Sequence, residues 1–334
     1  MITIEPPSTI SNSALFWPRL TRTLTRACLA TLLAASISAH AQSTNWQLTW
    51  SDEFNAPNGT PPPDSAKWNI VTGGKGYGNG ELETYTSRPI NAHQENGNLV
   101  ITAQKEDLTG PDGIPRHYTS ARINTQNHFA QKYGRFEARI KLPTGKGIWP
   151  AFWLLGNDHE TDPWPNCGEI DILETIGAPD TMYSTIHGPG YSGAKGPSAK
   201  YVLPTGQQVD TAFHVYAVEW SPNDLKFFFD DHLIIERTPA DLPPNTKWVY
   251  DHPFYILLNL AVGGNWPGSP DTSTTFPQQM LVDYVRVYSH KPEAASNPGA
   301  RSTDSDVWAA SDGRPLSSPG QRSYTRATTE QAQP

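Results

Sequence analysis

Gly168-Glu169-Ile170-Asp171-Ile172-Leu173-Glu174 is the stretch whose reading decides the fold. Three carboxylates fall within six residues, and Ile170, Ile172 and Leu173 separate them. The β-branched isoleucines favour a strand over a helix. On a strand, Glu169 and Asp171 point one way while Ile170 and Ile172 point the other. Strict alternation would set Leu173, not Glu174, beside the acids. One extra residue in a β-bulge returns Glu174 to the acidic face. The expectation is a bulged strand with one face in a core and one lined by acids.

Like charges aligned on a strand face repel, and a solvated acidic face is the plain alternative. Crowded carboxylates also drive one another's pKa values apart, so that one ionises while another keeps its proton near neutral pH. A retaining glycosidase needs this division between its nucleophile and its acid/base, held roughly 5–5.5 Å apart. Neighbouring same-face positions on a strand supply such a spacing.

The rest of the chain reads as β. Its 31 prolines and 26 glycines leave no room for long helices. Apolar, β-rich runs lie at 98–103, 133–140, 213–220, 225–229, 233–236 and 281–288. Ser221-Pro222-Asn223-Asp224 and Asp230-Asp231-His232 read as hairpin turns between them. Many short strands predict an all-β, two-sheet sandwich or jelly roll in one domain over 46–289.

The acidic stretch resembles the signature of glycoside hydrolase family 16: Glu, any residue, Asp, two residues, Glu. It fits as Glu169, Asp171 and Glu174, with the two-residue spacing of the laminarinase-type branch. The resemblance implies a jelly roll, Glu169 as nucleophile, Asp171 as its helper and Glu174 as acid/base. Gly76 to Thr86, containing Asn79 and Glu81, is similar to a laminarinase loop whose polar groups meet sugar hydroxyls; an ordinary hairpin loop is the alternative. Ser120-Ala121-Arg122-Ile123 is similar to a family strand whose Arg reaches the cleft, although alone Arg122 reads as a surface residue.

Trp149 and Trp153 precede the acidic strand, with Trp164 following them. Tryptophan offers a flat face to sugar C–H groups, yet is more often buried. Trp149, Ala151 and Trp153 share one strand face, opposite Phe152 and Leu154. The resemblance marks Trp149 and Trp164 as platforms and leaves Trp153 open between core and cleft. His187, in a laminarinase-like His-Gly-Pro-Gly turn, either orients a charge or is a solvated histidine. Trp266, in Gly263-Gly264-Asn265-Trp266, is a further subsite candidate by resemblance. The family also implies one structural calcium, with Glu53, Gly97 and Asp283 as its oxygen ligands, and no cofactor for catalysis.

Residues 1–41 read as an export signal, with Arg19, Arg22 and Arg26 ahead of an apolar run and an Ala39-His40-Ala41 cleavage site. This predicts a secreted or periplasmic protein with no membrane span. Cys28 would leave with the signal, so Cys167 alone remains and forms no internal disulfide. Its neighbouring acids disfavour a thiolate, and it reads as a packing residue rather than a nucleophile. Losing the signal takes the net charge from −8 to −10, which argues against a nucleic-acid partner. Residues 290–334 are rich in Pro, Ser, Thr and Gln and read as a disordered tail. The expectation is a monomeric, retaining endo-β-1,3-glucanase. Its rivals are a family hydrolase acting on mixed-linkage glucan, agarose or carrageenan, and a non-catalytic β-glucan-binding protein.

Overall fold

The computed structural model describes residues 45–60 and 64–291. The expected signal and all but the first two residues of the expected tail lie outside these. Among the described residues the regular structure is β, with three short 3-10 turns. A seven-stranded sheet runs in the order Ser198–Val202, Thr181–His187, Glu169–Glu174, Ile148–Gly156, Phe254–Val262, Arg122–Asn124, Asn69–Val71. A ten-stranded sheet faces it, with Gly134–Lys141, Gln278–His290 and Asn98–Thr109 at its centre. The two make the expected β-sandwich.

One core fills the space between the sheets. Phe152, Leu154, Ile170, Ile172, Ile186, Ile256 and Leu258 enter it from the smaller sheet; Ile101, Phe136, Ala138, Ile140, Val218, Val282 and Val285 enter from the larger. The period-2 pattern selects these faces: in Asp224–Phe229 every second residue, Leu225, Phe227 and Phe229, is buried. Phe254–Val262 is buried along its whole length. Its Tyr255 and Leu257 join Leu155 and Cys167 in a second, small apolar cluster. That cluster lies on the opposite face from the main core and packs beneath Trp153.

Both hairpin turns form as read, with Asn223 at φ 61° and Asp230 at φ 50° in the left-handed region that Asn and Asp tolerate. Gly168 enters the acidic strand at φ +71°, where an added Cβ would lie 3.0 Å from both Phe254 and Val249. Only glycine meets that backbone conformation and that closeness together. Gln278–His290 ends where His290 pairs with Trp46 of the first strand and stacks on its ring, centroids 3.9 Å apart.

Candidate active site

The bulge is present where the alternation demands it. Against Ile148–Gly156 the register slips between Asp171 and Leu173; against Thr181–His187 it slips between Asp171 and Glu174. Ile172 and Leu173 are consecutive residues, and both are fully buried in the main core. Glu169 therefore lies opposite Leu155 and His187, Asp171 opposite Trp153 and Thr185, and Glu174 opposite Ala151 and Tyr183. All three carboxyls emerge on the face away from the core.

Glu169 and Glu174 are half-buried, and Asp171 is the most enclosed of the three, with its side chain 4% exposed. Burial, then the Asp171 charge, pushes Glu169 up to about 8. Burial also pushes Glu174 up to about 7, against the Trp149 hydrogen bond that lowers it. Asp171 is held well above the usual carboxylate range by burial and by the Glu174 charge. Three carboxyls so placed share protons, since each ionisation makes the next more costly. With Glu174 at about 7 and Glu169 at about 8, the form with Glu169 ionised and Glu174 protonated is a minor one near neutral pH.

His187 is not a solvated turn residue. It ends the strand Thr181–His187 and is buried. Its Nε2 lies 3.1 Å from Asp171 Oδ2 and 3.9 Å from Glu169 Oε1. The closer approach is off-axis, so Asp171 Oδ2 makes no well-formed hydrogen bond.

The tryptophans divide by role. Trp149 is buried, and its Nε1 donates to Glu174 Oε1 at 2.9 Å. Its ring meets Trp266 edge-on at 5.7 Å, and Trp266 meets Tyr183 edge-on at 4.8 Å. The residue expected as a platform, Trp149, is thus a buried partner of Glu174, and Trp266, 41% exposed, carries the open ring. Trp164 is 48% exposed and lies 6.3 Å from the His187 ring, at the Glu169 end of the acidic strand. Trp153 resolves to the outer face, donating to Asn259 Oδ1 at 2.8 Å. Arg122 is no ordinary surface residue: its guanidinium lies 4.8 Å from the ring centres of both Trp153 and Tyr77.

A chain of hydrogen bonds ties this floor to the glycine-rich loop. Asn259 Nδ2 donates to the Tyr85 hydroxyl at 3.2 Å, which donates to Glu81 Oε2 at 3.1 Å, while Asn79 Nδ2 donates to Glu81 Oε1 at 3.3 Å. Asn79 and Glu81 are thus brought to one side of the acids, with Arg122. Sequence reasoning missed Tyr77, Tyr85, Tyr183 and Asn259. Asn259 had a signal, being the one polar side chain in the apolar run Phe254–Val262.

The profile of glycosyl hydrolases family 16 matches residues 80–286, which include the whole acidic strand. The chain belongs to this family. A β-glucanase of Rhodothermus marinus is 41% identical over 255 residues, covering 73% of this chain and 85% of that protein. Glucan endo-1,3-beta-glucosidase A1 of Niallia circulans is 38% identical over 263 residues, 73% of this chain but 38% of that longer protein. Among solved structures, the laminarinase catalytic domain from Thermotoga maritima superposes with a TM-score of 0.70 at 45% identity, covering 74% of this chain and 100% of that one.

Family membership makes the chain a glycoside hydrolase, and the acidic strand lies inside the matched residues. Cys167 takes no part as a nucleophile. It is buried, and burial first, then Asp158 and Glu169, pushes its thiol up to about 12. Burial outweighs the neighbouring acids that the sequence singled out.

Trp149→Phe tests the support of Glu174. An acid works while protonated, so the limb on which activity falls with rising pH reports the loss of the Glu174 proton. The indole N–H stabilises the ionised form, and its loss raises the pKa. The alkaline limb of kcat/KM should move up by about 0.5–1 pH unit, the equivalent of one net hydrogen bond. A pH–rate profile of wild type and variant measures it; an unmoved limb would mean that the indole does not tune Glu174.

The expected calcium ligands meet at one junction, where Gln278–His290 leaves Asn98–Thr109 and takes up Trp46–Asp52. Their carboxylates are already engaged. Glu53 pairs in two-pronged fashion with Arg286 at 2.7 and 3.0 Å, and Asp283 pairs with Arg139 at 2.6 Å. Both Glu53 carboxylate oxygens and Asp283 Oδ2 are thus paired, so a calcium drawing on these oxygens would compete with the two guanidinium groups.

Proposed function

We propose that this family 16 enzyme is a retaining endo-β-1,3-glucanase of the laminarinase type. The observation that carries the reading is the bulged strand that sets Glu169, Asp171 and Glu174 on one outward face. Its similarity to laminarinases over some three-quarters of the chain supports the choice of glucan.

In this reading Glu169 attacks the anomeric carbon while Glu174 protonates the departing glycosidic oxygen, leaving a glycosyl-enzyme ester. Glu174, now ionised, takes a proton from water as that water displaces Glu169 and releases the sugar with its configuration retained. Asp171, the most enclosed of the three, orients Glu169 and shares a proton with it. His187 borders the same cluster. Arg122, Asn79, Glu81 and Trp153 line one flank of the scissile bond, and Trp266 and Trp164 offer open aromatic faces. No step uses a metal or cofactor. Export through residues 1–41 belongs to the same proposal and rests on the leader-like sequence.

Linkage preference comes from cleft shape and a few hydrogen bonds, each worth roughly 0.5–1.5 kcal/mol net. Initial rates on laminarin, curdlan, lichenan, carboxymethylcellulose and agarose under one condition measure it. Laminarin and curdlan should be cut internally and fastest, lichenan more slowly, and cellulose derivative and agarose left intact. Lichenan clearly ahead of laminarin, or agarose as the sole substrate cut, would sink the β-1,3 assignment. Binding of laminarin without any reducing ends would favour the non-catalytic rival.

A further inference from the structure

Glu83 is a fully buried acid that the mechanism does not use. It opens the short strand Glu83–Tyr85, two residues beyond Glu81 in the loop facing the sugar. Its Oε2 accepts the Val262 backbone N–H at 2.7 Å, and its buried Oε1 meets no donor. Val262 ends the strand that runs into Gly263-Gly264-Asn265-Trp266. The same seam has two more stitches: Leu82 N donates to Val262 O at 2.8 Å, and Asn265 N donates to Asn79 O at 2.7 Å. Glu83 therefore sits where the loop of Asn79 and Glu81 joins the loop of Trp266.

The charges around it argue that it is neutral. Glu81, on its own segment, is a buried acid whose carboxyl adjoins that of Glu83. Tyr85 is fully buried and donates to Glu81. Tyr77, from the preceding turn, faces Glu81, Glu83, Arg122 and Arg116. The two nearby cations are otherwise engaged: Arg122 between the Tyr77 and Trp153 rings, Arg116 with Asp112 at 2.8 and 3.0 Å. A carboxylate buried without a countercharge is costly and takes up a proton instead. Burial and the Glu81 charge accordingly hold Glu83 well above the usual carboxylate range. Two facing carboxylates have no hydrogen bond to make until one is protonated; a proton on Glu83 Oε1 supplies the missing donor and aims it at Glu81.

We propose that Glu83 is a positioning residue that carries its proton in the working enzyme and seams together the two loops that grip the sugar. Neutral Glu83 accepts from Val262 and donates to Glu81, fixing the Glu81 carboxylate for substrate. Its removal should therefore weaken binding and leave the chemical step alone.

Two measurements test this, and the first needs no sugar. The folded pKa is raised, so the stabilising effect of protonated Glu83 is full below the unfolded value and is lost as pH rises through the folded one. Glu83→Gln keeps an acceptor and a donor without titrating. Its Tm should gain on wild type progressively from about pH 5 to pH 8. A gap independent of pH, or one growing in favour of wild type, would show a buried anion and overturn the proposal. The second measurement rests on the β-glucan reading and uses β-1,3-glucan. Glu83→Gln should hold KM within about 2-fold, while Glu83→Met raises KM about 10-fold with kcat nearly unchanged, as expected for lost uniform binding. Equal damage from both variants, or none from Glu83→Met, would overturn it. If wild type does not cut β-1,3-glucan, the substrate reading fails while the Tm comparison still decides the state of Glu83. The same comparison decides if Glu83→Met does not fold.

Discussion

Glu169→Gln should lower kcat/KM on β-1,3-glucan by about 10⁴-fold or more, because an amide does not form the glycosyl-enzyme and the whole double displacement is lost. The loss should be the same for natural substrate and for an activated aryl glycoside, since the attacking group is missing in both. The fold should survive, and the variant should be more stable than wild type near pH 7. Glu169 is raised to about 8, so its stabilising contribution is complete below about pH 4.5 and is lost as pH rises through about 8. The amide also ends the repulsion with Asp171, which is the usual trade of stability for function at an active site. Activity assays and thermal melts at about pH 4.5 and about pH 7 check both halves. Substantial activity in a correctly folded variant would remove Glu169 from the nucleophile's place. A melting point below wild type at neutral pH would mean that the acid cluster stabilises the fold.

Glu174→Ala should have an effect that depends on the leaving group. On β-1,3-glucan the loss should be about 10²–10⁴-fold, the range of one general acid/base. On an aryl β-glucoside whose phenolate leaves without help, the first step should persist and the glycosyl-enzyme should accumulate. Azide, which needs no general base, should then enter the space vacated beside Trp149 and restore turnover as the β-glycosyl azide. This follows from the register: Glu174 lies on the same outward face as Glu169 but on the far side of the bulge, opposite Ala151 and Tyr183. Proton NMR of the product decides it. An α-azide from Glu174→Ala would reverse the roles of the two glutamates, and an equal loss on both substrates would deny Glu174 the acid's part.

Much of this was legible in the chain because a strand's period of two is a local property. Ile170 and Ile172 against Glu169 and Asp171 set one face in the core, and Leu173 next to Ile172 required the bulge that the register contains. The strand runs and both hairpin turns followed from the same period and from Asn and Asp at left-handed positions. Family membership was legible too, because the acidic motif is contiguous. What each tryptophan does was not. Trp149 and Trp153 share a strand face, yet one supports Glu174 and the other packs against Arg122, since their neighbours come from distant segments. Tyr85 and Asn259 are 174 residues apart and meet only across the fold.

The sequence by itself determined the all-β fold, the acidic strand with its bulge and the candidate catalytic set, because alternation, turn chemistry and residue type act over a few neighbours. The tertiary structure alone decided which buried carboxyls keep their protons. It also showed that Arg286 and Arg139 already hold the expected calcium carboxylates, and that Glu83 joins two loops far apart in the chain. Burial and countercharge set those outcomes, and both depend on what distant segments bring to within a few ångströms.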